Sequence, residues 1–458
     1  ELVISRDPYG IKPLYYCRND KGVAFASEPA ALVRSGWVEP EVDHNALAAY
    51  FNRQYTGGRQ TIFKHIERVL PGETLVLRDG IIARKHRKIP KLTVPNYTLQ
   101  EKTGAMFEDL FTKAVSSHLQ ADVPYGAFLS GGVDSSSMVI KMNELVDELR
   151  TFTIGFESKS VADERQQANS LANKLSARHT NVHFTEEDFW HYLPTMCRYM
   201  DDLVADYAAL PLLKLAEFAH KDVKVILSGE GGDEIFAGYG RYRPNWFSRL
   251  MRRPFRGKGD AAKCPGLFEK YIRQWQENVQ TVVQPYGFTE LQFKQVLDIS
   301  DWLPDNLLTK VDRCLMAFGV EGRVPYLDGA FSSFGFALPD EMKIQNGEGK
   351  WILKNWLARH IGKEKVFTKK RGFTVPIRHW LNNKRPQLKE YFAHHPAFKG
   401  VLNDNKLQSL LNKSLNKRQA KVMFSVLCYA LWYDIHVQKD EDVVVFKEII
   451  NNKDQGDE

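Results

Sequence analysis

Apolar and polar positions follow two different rhythms along the chain. Up to about residue 90, short apolar runs such as Leu2-Val3-Ile4, Leu14-Tyr15-Tyr16 and Val23-Ala24-Phe25 are separated by turn residues such as Asp7-Pro8-Tyr9-Gly10 and Asn19-Asp20. That is the pattern of short strands. Thr74 to Leu77 and Ile81-Ile82 flank Arg78-Asp79-Gly80, which predicts a hairpin, since glycine accepts the positive φ of a tight turn. Pro90 to Pro95 reads as a linker.

Beyond residue 100 the period lengthens. Met106, Leu110, Phe111, Ala114, Val115 and Leu119 have helical spacing. Strand-like runs then alternate with helical segments. The runs are Gly126 to Leu129, Thr151 to Ile154, Asn181 to Phe184 and Val223 to Leu227; Ser136 to Leu149 and Glu164 to Ala177 are helical between them. This alternation predicts an α/β fold with a doubly wound parallel sheet, whose ligands bind beyond the carboxyl ends of the strands. After Tyr242 the pattern is helical and irregular, and Val422 to Tyr433 reads as a core helix.

Composition narrows the class without naming a function. A chain of 458 residues with 43% apolar and 26% charged residues is globular, long enough for about three domains, and needs no disulfide staples. Its net charge of +7 is spread along the chain apart from Arg241 to Lys258, where Arg249, Arg252, Arg253, Arg256 and Lys258 gather. That run carries no base-reading motif and reads as a solvated connector, so no nucleic-acid partner is expected. The five cysteines, Cys17, Cys197, Cys264, Cys314 and Cys428, form no Cys-x-x-Cys pair. Reduced, buried thiols in a cytoplasmic protein are the expectation. No run reaches the 18 or so apolar residues of a membrane span. The chain starts at Glu1 and enters an apolar strand at once, so the sequence is expected to lack its true N-terminus.

Chemistry concentrates in two loops. Leu129-Ser130-Gly131-Gly132-Val133-Asp134-Ser135-Ser136 joins a strand to a helix. Glycines there let backbone N–H groups approach an anion, and the helix N-terminus adds positive charge. Asp134 would repel phosphate unless it held a divalent cation, so the octet reads as a metal–pyrophosphate cradle. A Gly-rich turn with a Ser/Asp cap is the plainer alternative. The second loop, Leu227-Ser228-Gly229-Glu230-Gly231-Gly232-Asp233-Glu234, follows the fourth strand; Asp233 could share the metal with Asp134.

The octet resembles the pyrophosphate loop of ATP pyrophosphatases that activate substrates as adenylates. The second loop, continued through Ile235-Phe236-Ala237-Gly238-Tyr239, resembles the second signature of asparagine synthetases. Lys310-Val311-Asp312-Arg313, the block Met316 to Asp328, Lys350, Lys354 and Lys369-Lys370-Arg371-Gly372 follow in that family's order. Arg6 to Tyr16, Phe25-Ala26-Ser27-Glu28 and Leu70-Pro71-Gly72-Glu73 resemble the last part of a class II glutamine amidotransferase domain. About residues 2 to 440 are similar to glutamine-dependent asparagine synthetases of the bacterial type.

The resemblance implies two units rather than three. Residues 1–92 would be the incomplete glutaminase part, β-rich and of N-terminal-nucleophile type. Residues 98–440 would be the synthetase domain, and 441–458 a polar tail. It also implies amidation of aspartate with ATP and Mg²⁺ through β-aspartyl-AMP, ammonia arriving from glutamine through an internal tunnel. Glu230, Lys370 and Arg323 would be catalytic, with Arg313 and Glu321 as further candidates. Leu129, Ser130, Gly131, Gly132, Asp134, Ser135, Ser136, Ile154, Ser228 and Gly229 would bind ATP and pyrophosphate, and Asp134 and Asp233 the metal. The family's N-terminal Cys nucleophile is absent from the sequence, and Cys17 is not its equivalent. The expected partners are small molecules, with no membrane and no nucleic acid, and a homodimer is compatible with the family. Alternatives are homologues acting on another carboxylate (surface-sugar, β-lactam or peptide-cyclising), a tRNA-modifying pyrophosphatase, and a non-catalytic homologue.

Overall fold

The computed structural model describes residues 1–88, 90, 92–95, 103–156, 165–243, 287–367, 375–402, 407 and 411–451. The first part is built from strands β1 Leu2–Ser5, β2 Tyr15–Asn19, β3 Gly22–Ala26, β4 Ile66–Arg68, β5 Glu73–Arg78 and β6 Ile81–Arg87. Helices α1 Pro29–Arg34 and α2 His44–Arg53 lie between β3 and β4. The strands form two antiparallel sheets, β1-β5-β6 and β3-β2-β4. The expected hairpin is present: Arg78 pairs with Ile81, and the turn puts Asp79 at φ 50° and Gly80 at φ 75°. Both central residues at positive φ match the right-handed twist of the flanking strands. Strand β1 is an edge strand, and it is not buried as its composition suggests. Leu2 is 47% and Val3 57% exposed, and only Ile4 turns into the core.

The second part contains a five-stranded parallel sheet. Its strands are β7 Tyr125–Phe128, β8 Arg150–Phe156, β9 Arg178–Phe184, β10 Val225–Leu227 and β11 Glu321–Arg323, in the order β11-β10-β7-β8-β9. Helix α3 Thr103–His118 precedes the sheet, and the crossovers include α4 Val133–Asn143, α5 Arg165–Lys174, α6 Glu186–Tyr199 and α7 Ala209–Ala219. The sequence pattern locates β7 to β10 from their apolar residues: all three residues of β10 are buried, while the edge strand β9 buries only Val182 and Phe184. It misses β11, whose Glu-Gly-Arg carries no apolar signal. Helix α4 stops at Asn143, six residues before the end the pattern suggests.

This strand order sets the site. The chain lays β7, β8 and β9 in one direction, then returns to place β10 and β11 on the other side of β7. The order therefore reverses between β7 and β10, and at such a switch point the loops leaving adjacent strands diverge to open a crevice. Both Gly-rich loops leave from these two strands.

The helix Lys417–His436 ties the two parts together. Tyr429, Leu431 and Trp432 are buried along it, Tyr50 Oη donates to the Ser425 carbonyl at 2.7 Å, and Trp432 Nε1 donates to the Asp201 carbonyl at 2.8 Å. No helix among the described residues is long and apolar enough to cross a membrane. The expected polar tail from residue 441 needs correction. Val444–Asn451 is a helix, with Phe446 and Ile450 buried and the Phe446 ring 5.1 Å from that of Tyr391. Two apolar residues four apart supply a narrow stripe, enough to dock one face of a short helix. Residues 452–458 lie outside the described residues.

Candidate functional site

The octet is a tight loop capped from within. Gly131 has φ 73°, a conformation glycine adopts without Cβ strain, and it turns the chain from β7 into α4. Ser135 Oγ receives the Ser130 N–H at 3.2 Å and lies 3.0 Å from Ser130 Oγ, while the Gly132 N–H reaches Ser130 Oγ at 3.3 Å. Ser135 and Ser136 are buried in the first turn of α4. Leu129 N–H is held by the Phe152 carbonyl at 2.9 Å, which puts the loop's entry beside β8, the strand that contains Ile154.

The second loop leaves β10 through Ser228, whose N–H donates to the Arg323 carbonyl at 2.9 Å. Gly231, at φ 89°, starts the short helix α8 Gly232–Ile235. The two loops meet on Asp134. A Cβ on Gly229 would lie 3.0 Å from Asp134 Cβ, and one on Gly232 would lie 2.6 Å from Asp134 Oδ1. The small residues are thus the condition for the acid of one loop to lie against the backbone of the other.

At that junction the structure adds a residue to which the sequence gives no role. Lys350 Nζ binds Asp134 Oδ2 and also lies 2.7 Å from Asp233 Oδ1. Its backbone is left-handed at φ 57°, and its N–H donates to the Phe236 carbonyl at 3.0 Å. A non-glycine residue in this conformation is strained and persists where the surroundings hold it. Burial disfavours the Lys350 ammonium, but the two carboxylates outweigh this and raise its pKa above the ordinary value. Asp134 and Asp233 therefore converge on a single positive charge. Lys350 is 216 residues from Asp134, so no local pattern could reveal the contact.

Glu230 lies on the same loop in a different electrostatic setting. Burial raises its carboxyl pKa; Lys310 opposes the rise, and Asp233 and Asp134 add to it. Lys310 Nζ lies 2.8 Å from Asp206 Oδ2. Glu234, the last acid of the loop, is fully buried; burial and Asp233 push its carboxyl up to about 8, with Tyr239 Oη donating to its Oε1 at 2.6 Å. Four of the predicted acids and loops therefore come together: the octet, Ser228-Gly229, Glu230 and the Asp134–Asp233 pair.

Other candidates go elsewhere. Arg323 pairs with Glu321 at 3.1 Å and donates to the carbonyls of His118 at 2.9 Å and Gln120 at 2.8 Å. Its guanidinium thus closes the end of α3, and its described contacts include none of the loop acids. Arg313 pairs with Glu28 and Asp201, each at 3.2 Å, and fastens the first part of the chain to the second. Arg241 folds onto Asp298 at 2.7 Å and over the Tyr239 ring at 3.7 Å, so it belongs to no free basic patch. Lys370, residues 244–258 of the basic run, and Cys264 lie outside the described residues. The four described cysteines are buried and unbridged.

Comparison with known proteins agrees with both parts. Residues 106–434 match the sequence model described as asparagine synthase, and residues 1–87 match that of a glutamine amidotransferase domain. The chain is 31% identical over 479 aligned residues to "Asparagine synthetase [glutamine-hydrolyzing] 1" of Bacillus subtilis, covering 95% of this chain and 75% of that one. It is 31% identical to "Putative asparagine synthetase [glutamine-hydrolyzing]" of Mycobacterium tuberculosis, covering 83% of this chain and 66% of the relative. It is 30% identical to a Penicillium rubens protein named "Amidase chyE", covering 80% and 55% respectively. The chain thus spans between about half and three quarters of the length of these relatives.

Proposed function

Because the chain belongs to the asparagine synthase family, we propose that its two loops activate the side-chain carboxylate of aspartate with ATP for amidation to asparagine. The convergence of Asp134 and Asp233 on one cation at the sheet's switch point carries this reading. In the reaction the aspartate β-carboxylate attacks the α-phosphorus of ATP, giving β-aspartyl-AMP and pyrophosphate. Ammonia then attacks the acyl carbon, AMP leaves, and the nitrogen gives up a proton. In the longer family members the ammonia would come from glutamine, by way of the domain to which residues 1–87 belong.

The residues divide this work by chemistry. Ser130, Gly131, Gly132, Ser135 and Ser136 offer hydroxyls and backbone N–H groups to the pyrophosphate at the start of α4. Leu129 and Ile154 backbone groups hold adenine, and Ser228-Gly229 face the ribose and the adenylate. Asp134 and Asp233 suit Mg²⁺, as two hard oxygen donors already aimed at a shared cation. Among the described residues no group of three or more acidic, His or Cys side chains could hold a metal, so the ion would take its other ligands from phosphate and water. When bound, the ion would neutralise charge on the departing pyrophosphate. Lys350 supplies a fixed positive charge beside it, and Lys370 a further one from the basic run. Glu230, with its raised affinity for a proton, takes the proton from the attacking nitrogen.

Separate assays of pyrophosphate release and of asparagine formation with ammonium salts test the scheme. Aspartate should stimulate pyrophosphate release. Glu230→Gln should keep that release while lowering asparagine formation about a hundredfold or more. Equal loss of both steps would remove Glu230 from the role of base. Lys370→Ala should abolish adenylate formation with ATP binding largely intact; near-normal pyrophosphate release would refute its role. The relative named as an amidase favours a second reading, in which the acceptor is another carboxylate, and the aspartate requirement decides between the two.

A further inference from the structure

Two elements bring charge to the carboxyl edge of the sheet beside Glu230, and the ion pair they form has no part in the scheme above. Helix α7 runs back along the sheet, so the residues just before it, Asp206 to Ala208, lie at that edge. The helix Thr309–Met316 does the same before β11, which places Lys310 there. Lys310 Nζ meets Asp206 Oδ2 at 2.8 Å, with the Lys310 side chain 8% exposed and that of Asp206 20%. The pair is rigidly seated. The Ala208 N–H donates to Asp206 Oδ1 at 3.0 Å, and Cys314 Sγ, one turn beyond Lys310, donates to the Ala209 carbonyl at 3.5 Å. Lys310 is also the opposite charge acting most strongly on Glu230.

We infer that Lys310 and Asp206 form the subsite for the α-carboxylate and α-ammonium of the acceptor amino acid. This rests on the adenylating function proposed above and specifies the acceptor end of the same site. An amino acid activated through its side chain presents two ends with different charge. The reacting carboxylate must reach the phosphate loops, where Asp134, Asp233 and Lys350 handle charge. The other end is a zwitterion with adjacent positive and negative groups and no net charge. A protein ion pair of the opposite polarity matches it: Lys310 faces the α-carboxylate and Asp206 the α-ammonium. Both protein charges are already desolvated and held, so little ordering remains to be done on binding. A dicarboxylate without the amino group would leave the Asp206 carboxylate facing no cation but Lys310 and would be rejected by the loss of a charged hydrogen bond.

The test uses the purified chain and reads aspartate-dependent pyrophosphate release, a step that precedes any use of Glu230 as base. Lys310→Met should raise the aspartate KM about ten- to hundredfold while the ATP KM stays within about threefold. Lys310→Arg should recover much of that loss. Asp206→Asn should shrink the preference for aspartate over succinate by about tenfold. Thermal unfolding and ATP binding of each variant check that it folds. A Lys310→Met aspartate KM equal to wild type, or a parallel rise in the ATP KM, would overturn the subsite. Wild-type protein that releases pyrophosphate only with an acceptor lacking the α-amino group would overturn the aspartate reading, and this inference with it. An effect confined to the later ammonia step would overturn the subsite alone.

Discussion

At the scale of single residues, the site is governed by which acids have a cation. Asp134 and Asp233 share Lys350, whose side chain is 5% exposed, so removing the ammonium leaves two carboxylates against each other in a half-buried crevice. Breaking one side of such a cluster costs about 3 kcal/mol. Lys350→Met is therefore expected to lower the unfolding free energy by that amount, and added Mg²⁺ should restore stability to the variant more than to wild type. Equal Mg²⁺ effects on both would mean that Lys350 and Mg²⁺ do not compete for the two carboxylates. Glu234 is the contrasting case, an acid that burial keeps protonated, with a pKa of about 8 against 4.5 for the ordinary group. Between those values the unfolded chain has lost the proton and the folded chain keeps it. Stability from this group is full below about pH 4.5 and is lost as pH rises through about 8. Glu234→Gln keeps the shape without the ionisation, so its melting temperature should gain on wild type between about pH 4.5 and 8. Parallel curves over that range would show that Glu234 is ionised throughout.

At the scale of elements, the turn leaving β10 carries the next prediction. Gly231 has φ 89°, and a Cβ there would lie 2.5 Å from Leu327 Cδ2. Gly231→Ala therefore faces both a left-handed backbone and a collision with a packed side chain. Together these cost about 2 kcal/mol. Because the strain falls between Glu230 and Asp233, pyrophosphate release should decline with stability; full activity at a lowered melting temperature would show that the loop tolerates the shift. This loop, the octet, strands β7 to β10 and the hairpin at Asp79-Gly80 could all be read from the sequence. Each is written in neighbouring residues, as apolar runs or as glycines at turns. Strand β11 could not be read, since an edge strand of Glu, Gly and Arg takes its structure from Val225 to Leu227 beside it. The helix Val444–Asn451 is hidden in the same way, its two buried residues set among polar ones. The sequence pattern also supplies loop chemistry without pairing. Arg323 reads like a site residue, yet its partners are Glu321 and the end of α3. Lys350 and Asp206 find their partners only through tertiary contacts more than 100 residues away.

Across the whole molecule, ion pairs with at least one buried partner join the first part of the chain to the second. Arg53 meets Asp301 at 2.7 Å, Lys12 meets Asp312 at 2.9 Å, Arg68 binds Asp202, and Arg313 spans Glu28 and Asp201. Such pairs add little when complete but are costly to break, because the partner left behind remains buried and charged. Arg313 makes the sharpest test: it also donates to the Ser27 carbonyl at 2.9 Å, and Asp201 is 2% exposed. Burial pushes the Asp201 carboxyl up to about 7 even with Arg313 opposing it. Removing Arg313 raises it further, so the folded chain holds the proton to higher pH while the unfolded chain releases it near 3.8. The cost of Arg313→Met should therefore grow with pH. It should be smallest near pH 5, where Asp201 holds a proton, and rise by about 1.4 kcal/mol by pH 8, one unit above the wild-type value of about 7. Adding Asp201→Asn removes the stranded charge and should recover a large part of the loss at pH 8 but little at pH 5. Denaturant midpoints of wild type, both single variants and the double variant at the two pH values decide the matter. A pH-independent loss that Asp201→Asn fails to relieve would mean that Arg313 holds the seam through its contacts with Ser27 and Glu28, not by neutralising Asp201.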